Sequence, residues 1–452
     1  MTSGAADSDT IAAVATPPGR GGIGVIRISG PETAAIARAI TGSLPRPRYA
    51  TLADFRDEHN DTIDSGLALY FPGPASFTGE DVLELHGHGG PVVLDMILAR
   101  IVALGARLAR PGEFSERAFL NDKIDLSQAE AIADLIDSVS QQAAKGAVRS
   151  LQGAFSERIA QLSSLIVNLR IFVEAAIDFP EEEIDFLADS RVGESLAEIE
   201  HTLDAIVSEA RQGALLREGF SLAIVGRPNA GKSSIMNALT GRDSSIVTRV
   251  PGTTRDVVRE EIQVGGMPVR LIDTAGIRVS EDEVEIEGIR RAVGEAGRAD
   301  QVLVVVDLAE HREDWKAIAD DVLDALPVAD NATLVLNKSD LVTDVAVDEP
   351  GVIVVSAVSG DGIEALRNRL AELAGQVDLG EGMFSARRRH LDALDRAAGY
   401  IADGRAQLEG VGAGELLAEE LRQAHEALCE ITGEFTSDDL LGQIFSTFCI
   451  GK

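Results

Sequence analysis

The stretch Ser221 to Ile235, Ser-Leu-Ala-Ile-Val-Gly-Arg-Pro-Asn-Ala-Gly-Lys-Ser-Ser-Ile, limits the fold more than any other part of the chain. Its first five residues are mostly apolar and predict a short buried strand. Gly226 to Ser233 fits G-x-x-x-x-G-K-[ST], and Ile235, Met236 and Leu239 then take up helical spacing. A glycine-rich turn opening a helix points backbone N–H groups at an anion, and the helix dipole adds to the attraction. Lys232 is the cation for the β- and γ-phosphates, and the Ser233 hydroxyl is the Mg²⁺ ligand in such a loop.

Four further fragments follow in the order expected of a guanine-nucleotide hydrolase. Pro251-Gly252-Thr253-Thr254 offers a hydroxyl that completes Mg²⁺ coordination and senses the γ-phosphate, with Thr254 the expected ligand. Asp273-Thr274-Ala275-Gly276 ends an apolar run; the aspartate supports the Mg²⁺ shell and the Gly276 N–H meets the γ-phosphate. Asn337-Lys338-Ser339-Asp340 ends another. A carboxylate at Asp340 accepts both N1–H and N2–H of guanine, which adenine cannot reproduce. Ser356-Ala357-Val358 follows a further apolar run and offers backbone N–H to guanine O6. GTP is therefore expected over ATP. With Asn229, Ala230, Gly231 and Ser234 of the phosphate loop, and Thr248, Arg249 and Val250 before Pro251, these make up the expected nucleotide site.

The hydrolytic machinery departs from the commoner pattern. The position after Asp273-x-x-Gly276 is Ile277, an apolar side chain that cannot orient water. No arginine finger stands out, so another group must offset transition-state charge. Asn229, with carbonyls around Thr248 to Thr254, could seat a monovalent cation there. Glu285 is either a water-positioning carboxylate or a solvated helix-cap charge.

Around this core the chain divides. Between residues 216 and 378 short apolar runs alternate with helical spacing, the rhythm of a mainly parallel sheet. Helical spacing fills 121–215 and returns over 379–452, so the nucleotide domain is expected as an insertion in a helical bundle. Leu151, Phe155, Ile159, Leu162, Leu165, Ile166, Leu169, Phe172 and Val173 form the expected apolar stripe of one long helix, broken at Phe179-Pro180. Residues 1–120 mix strands and helices: a Pro-Gly loop between strands at 16–22, strands at Val25–Ser29, Gly66–Phe71 and Val82–His88, and helices at Pro91–Leu108 and Ser115–Leu120. Arg27 is either an edge-strand charge or a ligand contact. Glu84, His86 and His88 share one strand face but lack the further soft ligands of a metal site.

A net charge of −33 means that any nucleic-acid binding must come from a local basic patch or a partner protein. Arg387-Arg388-Arg389-His390 is the one dense basic run, a tRNA contact or a solvated helix start. Two cysteines, Cys429 and Cys449, fit a reducing cytoplasm, and the polar start carries no secretory pattern. No uninterrupted apolar run long enough to span a membrane is present.

Taken together, these motifs make the chain resemble the bacterial and organellar tRNA-modification GTPase family MnmE, also called TrmE. The resemblance rests on Thr-Pro-Pro-Gly-Arg-Gly-Gly at 16–22, Leu-Glu-Leu-His-Gly-His-Gly-Gly at 83–90, Arg110 to Lys123, the nucleotide motifs and Phe-Cys-Ile-Gly-Lys at 448–452. It implies a homodimer with an N-terminal α/β folate-binding domain, a discontinuous all-α domain and an inserted Ras-like G domain. It implies action with a FAD-dependent MnmG-type partner on the wobble uridine of tRNA, where 5,10-methylene- or 5-formyl-tetrahydrofolate delivers a carbon to C5. By motif match Arg27, Glu84, Lys123 and Lys452 would contact the folate. Potassium would sit on Asn229, Thr248, Val250 and Thr253, Glu285 would orient water, and Cys449 would lie near the folate. The alternative is a regulatory RNA-associated GTPase of the ribosome-assembly type, which has no need of the Arg27/Glu84/Lys123 set.

Overall fold

The computed structural model describes residues 9–178, 190–240, 259–264, 267–273, 299–324, 331–343, 347, 349, 351–373, 384–411, 413–434, 438–449 and 451. The chain packs as two compact units. One comprises Met1–Ala133, Ser150–Ile199 and Arg396–Lys452; the other comprises Asp134–Arg149 and Glu200–Asp395.

In the first unit, strands β1 (Ile11–Val14), β2 (Gly21–Ser29), β3 (Thr51–Arg56), β4 (Thr62–Phe71), β5 (Val82–Gly89) and β6 (Arg107–Leu108) form one sheet in the order β3-β4-β5-β2-β1-β6. All pairings are antiparallel except β1 with β6. Side chains alternate across the pleat, and this sorts the chemistry. Ile26, Ile28, Leu83 and Leu85 point to one face, where they pack with Ile36 and Ile40 of α1 (Thr33–Thr41) and Leu94, Ile97 and Ile101 of α2 (Pro91–Ala103). Arg27 and Glu84 point to the other. There Phe114 of α3 (Glu113–Leu120) packs with Ile11 and Ala13. The helix expected over Pro91–Leu108 ends at Ala103, because Gly105, at φ 110°, turns the chain and Arg107–Leu108 pairs with β1.

Residues 126–151 form α4 (Leu126–Ile136) and α5 (Gln141–Leu151). In α6 (Ala154–Asp178), Phe155, Ile159, Leu162, Ile166, Leu169 and Val173 are buried at steps of four and three. Leu151 does not belong to this stripe: it closes α5, and Gly153 at φ 95° separates the two helices. By length and composition alone, α6 is long and apolar enough over Ala154–Ile177 to cross a membrane. Its buried stripe instead packs against the helix Gly414–Thr432, which buries Leu417, Leu421, Leu428 and Ile431. Among the described residues the remaining α-helices are α7 (Ser190–Glu218), α8 (Lys232–Thr240), α9 (Trp315–Asp324), α10 (Ile363–Leu373), α11 (Arg388–Val411), α12 (Gly414–Thr432) and α13 (Asp438–Ser446).

The second unit is built on β7 (Phe220–Val225), β8 (Arg259–Val264), β9 (Met267–Asp273), β10 (Gln301–Asp307), β11 (Ala332–Asn337) and β12 (Val352–Val354). Their order is β12-β11-β10-β7-β9-β8, parallel throughout except for β8 at one edge. Both faces are covered. Leu222, Ile224, Leu303 and Val305 enter one apolar cluster with Ile235 and Leu366, whereas Ala223, Val225, Val302, Val304 and Val306 enter another with Ile318. This is why β10 is buried along its whole length and reads as an unbroken apolar run from Val302 to Val306.

The chain enters and leaves this sheet at one anchor. Asp134 of α4, buried, accepts from Arg217 Nε at 2.7 Å, just before β7, from the Arg387 guanidinium at 2.7 Å, and from Ser385 Oγ at 2.8 Å. The segment from Phe384 also lies so close to α7 that a Cβ on Gly213 would stand 2.1 Å from the Phe384 carbonyl oxygen. A cleft of about 390 Å³, with Asp134, Arg217 and Ser385 on its walls, adjoins the anchor.

Candidate nucleotide site and the Arg27–Glu84 face

Those expected nucleotide residues that the structure describes follow the carboxyl ends of β7, β11 and β12, where an open parallel sheet places its ligand. β7 leads straight into the phosphate loop and α8 begins at Lys232. Lys232 Nζ bonds the carbonyls of Gly226 at 2.8 Å and Arg227 at 3.0 Å, so its ammonium is folded over the loop's own rim. Ser233, Ser234 and Asn229 are exposed on this rim. Asn229 has φ 65°, a conformation uncommon outside glycine that clusters at ligand sites. Gly231 has φ 90°, and a Cβ there would lie 2.2 Å from Asn337 Nδ2.

Asn337 joins the phosphate end to the base end. Its Nδ2 donates to the Ala230 carbonyl at 2.9 Å, and its Oδ1 accepts the Ala357 N–H at 3.2 Å. Asp340 is exposed and accepts a hydrogen bond from the buried Ser356 hydroxyl at 2.6 Å, which orients its carboxylate. Val358 is exposed beside them. Asp273 closes β9, its backbone in register with Ile224. The structure therefore brings Asn229, Ala230, Gly231, Lys232, Ser233 and Ser234 together with Asn337, Lys338, Ser339, Asp340, Ser356 and Ala357. Thr248, Arg249, Val250, Pro251, Gly252, Thr253, Thr254, Thr274, Ala275, Gly276, Ile277, Glu285 and Lys452 lie outside the described residues, as does the Phe179-Pro180 break. Arg227, the arginine in the phosphate loop, pairs with Asp321 at 2.8 Å.

In the first unit, β2 is interior, between β1 and β5, which overturns the edge-charge reading of Arg27. Arg27 faces Glu84 across the strands and gives its Oε1 two hydrogen bonds, from Nε at 2.9 Å and a terminal nitrogen at 2.8 Å. Its guanidinium lies 5.7 Å from the Phe77 ring and 5.8 Å from the Phe114 ring, within cation–π range of both. Glu84 Oε2 contacts His86 Nε2 at 3.3 Å. His88 does not join them: Asp64 takes its Nδ1 at 2.7 Å and its backbone N–H at 2.8 Å. Among the described residues no cluster of three or more metal-ligating side chains occurs. A carboxylate has about four lone-pair directions, and three at Glu84 are in use, so it retains room for one more donor. The exposed side chain of Lys123 follows α3. Cys449 is exposed, and its carbonyl accepts the Gly112 N–H at 3.3 Å, two residues before Phe114.

A second set of charges supports this face. Glu113, buried, receives Arg107 at 2.8 Å and the Arg110 N–H at 2.7 Å, while Arg117 reaches Asp9 at 2.7 Å and Glu80 at 3.1 Å. Burial pushes the Glu113 carboxyl upward, but hydrogen bonds from Arg107 and Arg110 outweigh it and hold the group below the usual carboxylate range. Cys429 is buried, and burial followed by the charge of Glu434 raises its thiol to about 12. In the basic run at 387–390, Arg387 and His390 are structural, and Arg388 is exposed. Arg387 is bound to Asp134, and His390, buried, accepts the Arg387 N–H on Nδ1 at 3.1 Å, which starts α11.

Sequence reading missed Phe77 and Phe114 around Arg27, the Asp134 anchor, and Asp307. For Asp307 a signal existed: it ends the run Val302–Val306 as Asn337 ends its own strand, at the edge where the ligand groups gather.

Comparison with known proteins agrees with this architecture. A model of the MnmE helical domain matches residues 126–449, and one of the GTP-binding protein TrmE N-terminus matches residues 10–123. The tRNA modification GTPase MnmE of Marinomonas sp. (strain MWYL1) is 56% identical over 453 residues, covering 99% of both chains. Those of Stutzerimonas stutzeri (strain A1501) and Vibrio parahaemolyticus serotype O3:K6 (strain RIMD 2210633) are each 57% identical, over 98% of this chain and 99% and 100% of theirs. With a P-loop GTPase sheet preceded by the N-terminal unit that the family model describes, the chain belongs to the MnmE (TrmE) family of tRNA modification GTPases.

Proposed function

We propose that this chain hydrolyses GTP and, with a FAD-dependent partner, uses a folate one-carbon unit to build an aminomethyl or carboxymethylaminomethyl group on C5 of the wobble uridine of tRNA. Lys232 and the loop N–H groups hold the β- and γ-phosphates. Ser233 and Thr254 ligate Mg²⁺, which offsets charge on the phosphate oxygens. Asp340, oriented by Ser356, selects guanine. Asn229, Thr248, Val250 and Thr253 hold K⁺ where other hydrolases insert an arginine, and Glu285 orients the attacking water. The exposed rim and left-handed backbone of Asn229 suit a residue that must turn outward to a cation.

The observation that carries the reading beyond a nucleotide switch is the Arg27–Glu84 pair, seated between Phe77 and Phe114 on an interior strand. A planar, half-buried cation and a carboxylate with one spare acceptor direction suit a pterin: Glu84 accepts one ring N–H, and Arg27 with Lys123 and Lys452 balances an anionic tail. The folate supplies carbon at the formaldehyde or formate oxidation level. Calorimetric titration of 5-formyl-tetrahydrofolate into the full chain tests this. Saturable binding supports it. Absence of binding by a dimer that still hydrolyses GTP favours the regulatory switch. Exchange of Na⁺ for K⁺ should speed hydrolysis, and equal rates in both salts would remove the cation from the scheme.

A further inference from the structure

Asp307 closes β10 in register with Asn337, and its side chain is 8% exposed. Both carboxylate oxygens are occupied. Oδ1 accepts the N–H groups of Ala309 at 3.0 Å and Glu310 at 3.3 Å, and Oδ2 receives Lys338 Nζ at 2.5 Å. The turn N–H groups anchor the carboxylate independently of the lysine. What the ion pair adds is order in Lys338, a side chain that would otherwise sample many rotamers. Lys338 also has φ 65° and ψ 36°, a backbone state that only surrounding contacts hold in a non-glycine residue. Its neighbours are tied as well, Asn337 to the phosphate loop and Asp340 to Ser356.

We propose that Asp307 is a positioning residue for guanine recognition: by anchoring the Lys338 ammonium it holds the lysine's methylene stem as a fixed apolar edge for the purine ring, beside the carboxylate of Asp340. The inference rests on reading this site as a guanine-nucleotide site. A partly exposed lysine–aspartate pair contributes little to stability by itself. The effect of this one falls on ligand affinity, because the stem no longer has to be ordered when the base arrives.

The test is a double-mutant cycle on the full chain, reading GDP and IDP affinity by calorimetry, with a thermal melt for each variant. Asp307→Asn should weaken GDP and IDP by the same factor, about tenfold, since the stem contacts the ring and not the 2-amino group. In the Lys338→Ala background Asp307→Asn should cost nothing further. Lys338→Met keeps an apolar arm without the anchor, leaves Asp307 on its turn N–H groups, and should match Asp307→Asn. The proposal is overturned if Asp307→Asn binds GDP within twofold of the unaltered chain, if it weakens binding equally in the Lys338→Ala background, or if Lys338→Met binds normally. Failure of the guanine reading itself looks different: the unaltered chain would then bind ADP as well as GDP, and Asp340→Asn would leave that preference unchanged.

Discussion

Asp134→Ala should release the chain on both sides of the nucleotide sheet without unfolding the sheet. Three donors converge on this carboxylate at 2.7, 2.7 and 2.8 Å, and its side chain is 7% exposed. Removing one partner of a buried ionic cluster costs about 3–5 kcal/mol. Arg217 recovers part of this, being 32% exposed and 3.3 Å from Glu218. Arg387, at 15% exposed, recovers less. The lower end, about 3 kcal/mol, is therefore expected, which corresponds to roughly a hundredfold in a local opening equilibrium. Amide hydrogen exchange of peptides over 384–390 reads it directly, because the Ser385 N–H donates to the Gly146 carbonyl at 3.3 Å and the Arg387 N–H to His390. Protection there should fall about a hundredfold while β10, buried along its length, keeps its protection. GDP affinity should hold, because the anchor grips the chain before β7 and the nucleotide groups follow the strands' carboxyl ends. A change below threefold at 384–390, or an equal loss in β10, would refute the reasoning.

Gly231→Ala should abolish measurable GTP binding, at least a hundredfold by fluorescent-nucleotide titration, since the new Cβ meets Asn337 Nδ2 at 2.2 Å on a left-handed backbone. Arg27→Lys keeps the charge but loses the planar fork between Phe77 and Phe114; 5-formyl-tetrahydrofolate affinity should fall roughly tenfold or more in calorimetry, with GTP hydrolysis unchanged. The Glu113 carboxyl titrates below its unfolded value, so its stabilisation is complete above about pH 4.5 and is lost as pH falls through the lower, folded value. Thermal melts from pH 3 to 7 should show an acid limb that flattens in Glu113→Gln, and identical limbs would contradict the assignment.

The parts of the site carried by contiguous residues were legible beforehand. Gly226 to Ser233 brings strand, loop and helix within one short stretch, so local spacing alone placed Lys232 and Ser233. Asn337 and Asp340 were legible because they end an apolar run. What escaped depends on long-range pairing. Arg27 has the same alternation on an edge strand as on an interior one, and only the β5–β2–β1 order decides between them. Phe77 and Phe114 come from a loop and a helix far along the chain. Asp134 in α4 meets Ser385 across 251 residues, and no periodicity marks it. Leu151 entered the α6 stripe on spacing, because a left-handed glycine at 153 interrupts the helix without altering the apolar period.

The most direct test of the scheme is isotopic. The purified chain, its flavin-dependent partner and unmodified tRNA are supplied with a tetrahydrofolate labelled in its one-carbon unit, with GTP and K⁺, and the wobble nucleoside is read by mass spectrometry. The account predicts label on the C5 substituent that requires GTP and disappears with Arg27→Ala. Modified uridine without the label, or labelling that proceeds unchanged without GTP, would contradict it.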